Sequence, residues 1–415
     1  MDPSADDPAP PEWTRAQRER LVAWAGRARH PHGFAWLDDD GRPRADEGVH
    51  TWITARATHV AALHALHAGG TGRTGPAGAA GLAEHGVRRL RESLRDPAHG
   101  GWYSRLDLDG TPADTAKAAY QHAFVLLAGA TGTAARVPGA ADLLADAAAV
   151  VDTRFWDDRA GRAAEAFDRD WSGAEPYRGA NSNMHLVEAF LAAGAATGEA
   201  EWARRALRVA EFLIGEQAAA HGHRLPEHYT ADWRVRPEYN RDRPADPFRP
   251  YGWTPGHSLE WARLLLHVEA ALADPPGWLL PAAEALFTTA ARASWARDGA
   301  DGFCYTLDWA DRPVIRERMH WVATEAVAAA TALHRRTADP GYAEHADRWW
   351  RYVRAHLVDD AAGNWRHELD PANRPGATVW AGRPDVYHAY TALAFAEGLA
   401  APGFALRTAE GSGAR

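Results

Sequence analysis

The stretch YRGANSNMHLVEAFLAA (177–193) determines the expected fold. It has the spacing of an amphipathic helix, and Asn181, His185 and Glu188 fall on one face at spacings of 4 and 3 residues. A histidine near the start of an apolar helical segment recurs along the chain. These histidines are His59, His122, His185, His257, His320 and His388, spaced by 63, 63, 72, 63 and 68 residues. Such a near-constant period indicates a helical repeat.

Helical periodicity predicts twelve helices, and the histidines lie on the even-numbered ones. The predicted helices cover 12–28, 51–69, 79–95, 113–131, 138–155, 181–197, 199–219, 256–272, 277–296, 319–336, 341–357 and 384–400. Six hairpins with polar residues on alternate helices predict an all-α (α/α)6 barrel. The even helices would form an inner ring around a cavity, and the odd helices would shield them. An open α-solenoid is the structural alternative.

Aromatic-rich segments with turn residues precede several even helices. They are GFAWLDDDGRP (33–43), GGWYSRLDLDGTP (100–112), GFCYTLDWADRP (302–313) and GNWRHELDPANRP (363–375). We expect short β-hairpins there, all at the mouth of the barrel. We expect one domain over 12–407, with disordered tails at 1–11 and 408–415. The long non-helical stretch 221–255 is expected to lie near the mouth, since it precedes an inner helix.

Composition excludes several classes of protein. The chain has 415 residues, a net charge of −9 and one cysteine, Cys304. It has no apolar run long enough to span a membrane and no secretory signal. The acidic balance argues against nucleic acid as a partner. A single cysteine excludes an internal disulfide framework, and we expect a cytoplasmic protein.

The motifs that mark cofactor enzymes are also missing from the sequence. It contains no dinucleotide fingerprint, Walker motif or HExxH zinc motif, so we expect neither a cofactor nor a metal. Lys117 is the only lysine, which argues against Schiff-base chemistry unless that residue supplies it. The 19 tryptophans could either fill a large helical core or present flat faces to sugar rings.

Two inner helices combine an apolar run with charged or polar residues near their start. In TWITARATHVAAL (51–63), Arg56 shares a face with Trp52 and His59, and a buried arginine needs a partner or a ligand. Surface snorkelling of Arg56 is the alternative. In 177–193, Glu188 could orient or charge His185, and Asn181 could equally be a helix cap.

Two later helices place a histidine one turn from a carboxylate. In YGWTPGHSLEWARLLL (251–266), Glu260 could hold the imidazolium of His257, or be a plain first-turn residue. In GRPDVYHAYTALAFAEG (382–398), Asp385 precedes His388. Histidines with carboxylate neighbours, an arginine and many aromatics suit proton transfer on a polyhydroxy substrate.

These motifs resemble the N-acylglucosamine 2-epimerase superfamily, whose fold is an (α/α)6 barrel. The resemblance runs from Trp52 to about residue 395 and is closest to the branch of D-mannose and sulfoquinovose isomerases. The segments that carry it are WITARATHV, RGANSNMHLVEAF, GWTPGHSLEWARLLL, MHWVATEA and RPDVYHA. It implies a metal-free aldose–ketose isomerase of D-mannose and D-fructose, with D-lyxose and D-xylulose as a further pair.

The resemblance also implies residue roles. His257 and His388 match the two catalytic histidines, with Glu260 steadying His257. His388 would move the proton between C2 and C1, and His257 would open the ring, although these roles could be exchanged. Positions expected to contact the sugar are Arg56, Tyr120, Asn181, His185 and Trp321, and the indoles of Trp52 and Trp380 are expected to add to them.

The sequence leaves four alternatives open. Sulfoquinovose would need an added cation, which the arginines of 234–249 could supply. A sugar 2-epimerase would use similar groups. A glycoside hydrolase would need two carboxylates, such as Glu260 with Asp385 or Glu325. A non-catalytic binding solenoid would not need paired titratable residues.

Overall fold

The computed structural model describes residues 7–68 and 78–408, and these contain the twelve predicted α-helices. We label them α1 to α12 in chain order: Pro11–Arg27, Thr51–His67, Ala79–Arg91, Ala119–Ala134, Ala140–Val150, Ala180–Thr197, Ala200–Ala210, Pro255–Ala271, Leu279–Ser294, His320–Thr337, Pro340–Tyr352 and Tyr387–Ala396. Helices α5, α7 and α11 continue into π-helical turns at Val151–Phe155, Glu211–Ala218 and Val353–Leu357.

The even-numbered helices form a closed inner ring. Each packs against the next, and α12 returns to pack against α2. The odd helices pack outside: α3 against α2, α5 against α4, α7 against α6, α9 against α8, α11 against α10 and α1 against α12. The closure confirms the (α/α)6 barrel and excludes the open solenoid. Among the helices of the described part, none combines the length and apolar character needed to cross a bilayer.

The two rings differ in how much of each helix is buried. The inner helix α4, AYQHAFVLLAGATGTA, is buried almost all round because helices pack on every side of it. A Cβ at Gly129 would lie 2.8 Å from the backbone of Leu144, so glycine lets α4 and α5 approach closely. The outer helix α7 buries one stripe, which includes Trp202 and Val209, and exposes the other.

The strands are short and all lie in connections that run from an outer helix to the next inner one. We label them β1 to β17: Arg29–His30, Gly33–Phe34, Val49–His50, Arg105–Leu106, Pro112–Asp114, Lys117–Ala118, Trp156–Asp157, Arg162–Ala163, Ala166–Phe167, Tyr177–Gly179, His228–Thr230, Thr306–Leu307, Pro313–Ile315, Arg318–Met319, Val358–Asp359, Asn364–Trp365 and Glu368–Leu369. This confirms the predicted hairpins at one end of the barrel.

Some pairs link neighbouring connections to one another. All pairs are antiparallel: β1–β2, β3–β4–β5, β6–β9, β7–β8, β10–β11, β12–β13, β14–β17 and β15–β16. The pairs β3–β4, β6–β9, β10–β11 and β14–β17 join successive loops around the mouth. These hydrogen-bonded connections therefore form a continuous rim at the end of the barrel where the inner helices begin.

Several predicted boundaries differ from those observed. Helix α4 starts at Ala119 instead of residue 113 because β5 and β6 precede it at Pro112–Asp114 and Lys117–Ala118. Helix α12 is shorter than predicted at both ends. Residues 7–11 were expected in a disordered tail, but the carbonyl of Pro8 accepts a hydrogen bond from Arg354 and α1 begins at Pro11. The remaining tail positions 1–6 and 409–415, and residue 69 at the predicted end of α2, lie outside the described residues.

Lys117 lies at the rim and forms a buried ion pair. Its ammonium nitrogen is 3.0 Å from Oδ2 of Asp96, and neither side chain is exposed to solvent. Arg169 donates to the same carboxylate at 2.9 Å. Lys117 does not line the barrel pocket described below, so its role is structural and it is not placed for Schiff-base chemistry.

Replacing Lys117 with methionine should destabilise the protein by about 3 kcal/mol, because the buried Asp96 loses one of its two cationic partners. The matched control is Arg42→Met, which breaks an ion pair to Asp40 whose side chains are 75% and 67% exposed. That loss should stay below about 1 kcal/mol. Urea unfolding of both variants measures the difference, and equal losses would contradict the structural role of Lys117.

Candidate active site

One pocket opens at the mouth of the barrel, where the inner helices begin. It is lined by Trp52, Arg56, Tyr120, Asn181, His185, Pro247, Phe248, His257, Glu260, Tyr305, His320, Trp321, His367, Trp380, Pro384, Asp385 and His388. All ten residues that the sequence analysis singled out for catalysis or sugar contact are in this set. The inner-helix repeat explains this, because it brings the first turns of six helices to one place.

Two pocket histidines, one on α8 and one on α12, each have a glutamate carboxylate at Nδ1. Nδ1 of His257 lies 2.9 Å from Oε1 of Glu227, and Nδ1 of His388 lies 2.9 Å from Oε1 of Glu325. A carboxylate on Nδ1 holds the proton there, which leaves Nε2 as the nitrogen available to a ligand. Both rings therefore have the orientation that a base needs.

The indole of Trp321 contacts both of these imidazoles. Its ring centroid is 5.1 Å from that of His257 and 5.7 Å from that of His388. A Cβ at Gly256 would lie 2.6 Å from the Trp321 ring, so the glycine before His257 lets the indole pack against the start of α8. The indole fixes the positions of both histidines and forms a flat wall of the pocket.

The predicted pairing of His257 with Glu260 is wrong. The imidazole of His257 binds Glu227, which lies in the connection before β11, instead of the carboxylate one turn later on its own helix. Glu260 is 1% exposed and points toward His185 and Arg263, whose nearest nitrogens are 3.9 and 3.8 Å from Oε1. Thr254 occupies the N-cap position of α8 without a side-chain capping bond. Helical spacing identified the right face of α8 but not the rotamers on it.

Arg56 is buried and paired. Its Nη1 lies 3.0 Å from Oδ2 of Asp385, and its Nη2 donates to the hydroxyl of Tyr120 at 3.0 Å. The guanidinium also lies over the rings of Phe124 and Tyr387, at 4.2 and 4.9 Å from their centroids. Surface snorkelling is thus excluded for Arg56, which is 5% exposed.

Asp385 contributes to both the helix start and the pocket. Its Oδ1 accepts from the backbone N–H of Tyr387, while Oδ2 binds Arg56. Burial disfavours the charged carboxylate, but Arg56 and the nearby histidines outweigh it and hold the pKa of Asp385 well below its ordinary value. An ionised Asp385 therefore neutralises the fixed charge of Arg56.

His185 is oriented by Glu188 and stays neutral. Its Nδ1 lies 2.8 Å from Oε2 of Glu188. Burial lowers the pKa of His185 to about 4, in spite of the favourable carboxylate. Asn181, one turn earlier, makes no capping bond, since Gly179 occupies the N-cap position, and its buried Oδ1 has no partner within residues 7–68 and 78–408. An unpartnered buried amide that lines a pocket is suited to a polar ligand.

Aromatic rings surround the entrance. Trp36 stacks on Trp380 with centroids 5.7 Å apart and an angle of 17°. Phe248, from the segment 221–255, packs edge to face against Trp52, Tyr120 and Trp380. The segment thus contributes to the mouth as expected, and its apolar edge restricts the opening.

Several residues at or beside the pocket were not among the predicted site residues. Glu227 and Phe248 lie in irregular segments, where no periodicity marks them. His320 belongs to the histidine repeat and lines the pocket, where its ring stacks on His367 with centroids 4.0 Å apart. Burial lowers the pKa of His367 to about 4, so it is neutral. Only the repeat could have drawn attention to His320, and nothing in the sequence marks His367.

Two histidines of the repeat do not line the pocket. His59 lies deeper in the barrel, with its Nδ1 2.8 Å from the hydroxyl of Thr131. His122 accepts from the backbone N–H of Trp102 and donates to the carbonyl of Ala118. Burial lowers the pKa of His59 to about 4 and that of His122 to about 3. These two are neutral structural histidines.

Two overlapping groups contain the residue types that bind metal ions: His185, Glu188 and Glu260, and Glu260, Glu325 and His388. Within each group one ligand atom from every residue lies within 4.8 Å of the others. In each, however, the histidine is already bonded through Nδ1 to one of the carboxylates. A metal ion using those atoms would have to replace these bonds.

The arginines of 234–249 do not reach the pocket. Arg249 forms a bidentate pair with Glu175, and Arg241 pairs with Glu238. Arg56 is the one arginine or lysine among the residues that line the pocket. The cation that the sulfoquinovose alternative required from this segment is therefore not at the site.

The low pKa of His185 predicts acid sensitivity. An unfolded histidine has a pKa near 6.5, so between pH 6.5 and 4 the unfolded state binds a proton that the folded state excludes. The contribution of neutral His185 to the free energy of unfolding is fully present above pH 6.5, and it is lost as the pH falls from 6.5 toward 4. When the pH falls from 7 to 5, the unaltered protein should lose about 2 kcal/mol of unfolding free energy that the His185→Gln variant keeps. Urea unfolding at both pH values measures this; a pH-independent difference would contradict it.

Comparisons with known proteins agree with this geometry. The family model of N-acylglucosamine 2-epimerase (GlcNAc 2-epimerase) matches residues 33–392. A D-mannose isomerase of Thermobifida fusca is 56% identical over 383 residues, 92% of each chain. One of Pseudomonas cannabina pv. alisalensis is 44% identical, over 93% of this chain and 92% of its own. A crystal structure of D-mannose isomerase superposes with a TM-score of 0.83 at 29% identity, covering 92% of this chain and 96% of that one. The chain belongs to the N-acylglucosamine 2-epimerase family.

Proposed function

We propose that this protein is an aldose–ketose isomerase that interconverts D-mannose and D-fructose, and also D-lyxose and D-xylulose, without a cofactor. The observation that carries the proposal is the pair of imidazoles that contact Trp321, each with Nδ1 held by a carboxylate. The similarity to proteins named D-mannose isomerase supports the choice of substrate. Isomerisation requires proton transfers, and histidine is the side chain that most often carries them out in enzymes.

The reaction begins with ring opening. His257, held by Glu227, accepts the proton of the anomeric hydroxyl through Nε2 and returns a proton to the ring oxygen. Glu227 keeps the tautomer fixed and balances the imidazolium that forms between the two steps. The open-chain aldehyde then lies between the indole of Trp321 and the polar residues of the inner helices.

His388 carries the carbon-to-carbon proton transfer. Its Nε2 removes the proton from C2 and delivers it to C1, passing through a cis-enediol intermediate. Glu325 bears a negative charge next to Nδ1 and so stabilises the imidazolium while it holds the proton. A single base that serves adjacent carbons must stay on one face of the substrate, which the fixed Glu325 and Trp321 contacts favour.

Negative charge develops on the sugar oxygens as C2 loses its proton. Arg56 is the fixed cation that lines the pocket, and the hydroxyl of Tyr120 lies 3.0 Å from its Nη2. These donors are already oriented before the substrate arrives, so they stabilise the enediolate without reorganisation. Asn181, with its free amide oxygen, is placed to accept from a sugar hydroxyl.

Isomerisation fits the site better than glycoside hydrolysis. A hydrolase needs two carboxyl groups that face the substrate. Glu260 and Asp385 line the pocket, but Asp385 is bound to Arg56 and to the backbone of Tyr387. Glu325 is bonded to Arg263 and His388 behind the pocket wall.

The direct test is to incubate the purified protein with D-mannose in EDTA and to quantify fructose and glucose. We expect fructose without an early accumulation of glucose. Early glucose would assign the protein to 2-epimerisation instead. No conversion of mannose would contradict the proposal, and sulfoquinovose would be the next substrate to assay.

The His388→Gln variant should lower the rate of fructose formation by about 10²–10⁴-fold, because glutamine cannot carry a proton between the carbons. Exchange of the C2 hydrogen of mannose in D₂O should fall by a similar factor. The matched control is His99→Gln, at an exposed histidine outside the pocket, which should retain full activity. Normal C2 exchange in His388→Gln would assign the base to another residue.

A further inference from the structure

Three buried carboxylates surround one guanidinium beneath the pocket. Nη2 of Arg263 lies 2.9 Å from Glu325, 3.5 Å from Glu188 and 3.8 Å from Glu260. All four side chains are at most 2% exposed. One cation cannot balance three anions in such a dry environment, so the distribution of protons among these carboxyl groups is constrained.

Two of the three carboxylates have strong donors on both oxygens. Glu188 accepts from the hydroxyl of Tyr387 at 2.7 Å on Oε1 and contacts Nδ1 of His185 on Oε2. Glu325 contacts Nδ1 of His388 on Oε1 and accepts from Arg263 on Oε2. These contacts stabilise the ionised form of both groups.

Glu260 is different, since neither of its oxygens has a hydrogen-bond partner within residues 7–68 and 78–408. Burial, together with the charges of Glu325 and Glu188, raises the pKa of Glu260 well above its ordinary value, and Arg263 and Arg56 do not offset this. The absence of a donor on either oxygen and the two neighbouring anions therefore favour the protonated, neutral form of this carboxyl group. It has one O–H donor and one carbonyl acceptor, both unused by the protein.

The position of Glu260 brings this acid to the substrate. Its side chain lines the pocket. One of its oxygens lies within 4.8 Å of a ring nitrogen of His388, the proposed carbon base. A carboxyl group with two unpartnered oxygens thus lies at the pocket beside the proposed carbon base.

Isomerisation needs a second proton transfer that the histidines alone do not explain. Aldose and ketose differ in the position of the carbonyl, so O2 must lose a proton while O1 gains one. We propose that Glu260 performs this transfer as a bifunctional acid, which donates its proton to O1 and accepts the proton of O2. The inference rests on the proposed isomerase function and adds the group that moves the proton between oxygens.

The step balances without a co-reactant. His388 takes the C2 proton as the C1=O1 bond becomes single, and the O–H of Glu260 protonates O1, which gives the enediol. The other oxygen of Glu260 then takes the proton of O2 while His388 protonates C1 and the C2=O2 bond forms. Glu260 ends as a neutral acid, with its proton on the opposite oxygen.

The proposed role of Glu260 affects two reactions of the site differently, namely exchange of the C2 proton and formation of the ketose. Removal and return of the C2 proton need only that O1 be transiently stabilised, which Arg56 can do. Ketose formation also needs the transfer from O2 to O1. Loss of the acid should therefore affect fructose formation more than exchange at C2.

The test is the Glu260→Gln variant with D-mannose in D₂O. Glutamine matches the shape and neutrality of the acid but cannot pass a proton through its amide. We expect fructose formation to fall by about 10²–10³-fold, with KM changed by less than about threefold. Incorporation of deuterium at C2 of the remaining mannose should fall less, so that exchange exceeds net conversion. Equal loss of both, or near-normal fructose formation, would overturn the relay.

A second readout does not depend on turnover. The infrared difference spectrum between the unaltered protein and Glu260→Gln at pH 7 should contain the carbonyl band of a protonated carboxylic acid. A carboxylate band in its place would overturn the proposal even if the variant lost activity or stability. If the unaltered protein failed to convert mannose but showed the acid band, the isomerase assignment would fail while the protonation state of Glu260 would stand.

Discussion

The guanidinium of Arg263 is the contact on which the floor of the site depends. It extends from α8 to Glu325 on α10 and lies near Glu188 on α6. Glu325 in turn holds His388 on α12, and Glu188 holds His185. One buried cation thus links four inner helices and sets the orientation of two pocket imidazoles. A neutral residue in place of Arg263 would leave Glu188 and Glu325 without their shared counter-charge. The carboxylates that orient His185 and His388 would then be buried and uncompensated.

The barrel concentrates chemistry because of how its helices are connected. Each inner helix begins at the same end, and the short paired strands fix these starts relative to one another. A polar residue in the first turns of an inner helix can therefore reach the same pocket as its counterparts on other helices when it lies on the inward face, as Tyr120 on α4 does and His122 does not. His59, about two turns into α2, is too deep to reach it and serves the core instead. Depth along the helix and the face on which a residue lies together decide which histidines of the repeat line the pocket.

This explains what the sequence could predict. The helical period, the histidine repeat and the turn-rich segments before the inner helices were sufficient to predict the ring, whereas the site roles of most of the ten candidate residues came from the resemblance to the N-acylglucosamine 2-epimerase superfamily. The pairing of His257 with Glu227 was not predictable, because 30 residues and an irregular connection separate them. The same applies to His388 and Glu325, which meet only when α10 and α12 pack. Local spacing instead favoured Glu260, which is near in sequence but turned toward Arg263.

The charge balance of the pocket also bears on the type of substrate. Arg56 is matched by Asp385, and Arg263 by Glu325 and Glu188, so neither cation has a spare charge for a permanent anion on the substrate, although Arg56 can still donate to an oxygen that becomes negative during the reaction. An anionic sugar would have to be desolvated against Asp385 and the acidic cluster without a new partner, which is costly in a buried site. A neutral sugar brings only hydroxyl groups, which can use the free amide oxygen of Asn181, the carboxyl group of Glu260 and the available Nε2 atoms. The same crowding of carboxylates that raises the pKa of Glu260 therefore favours an uncharged polyhydroxy substrate.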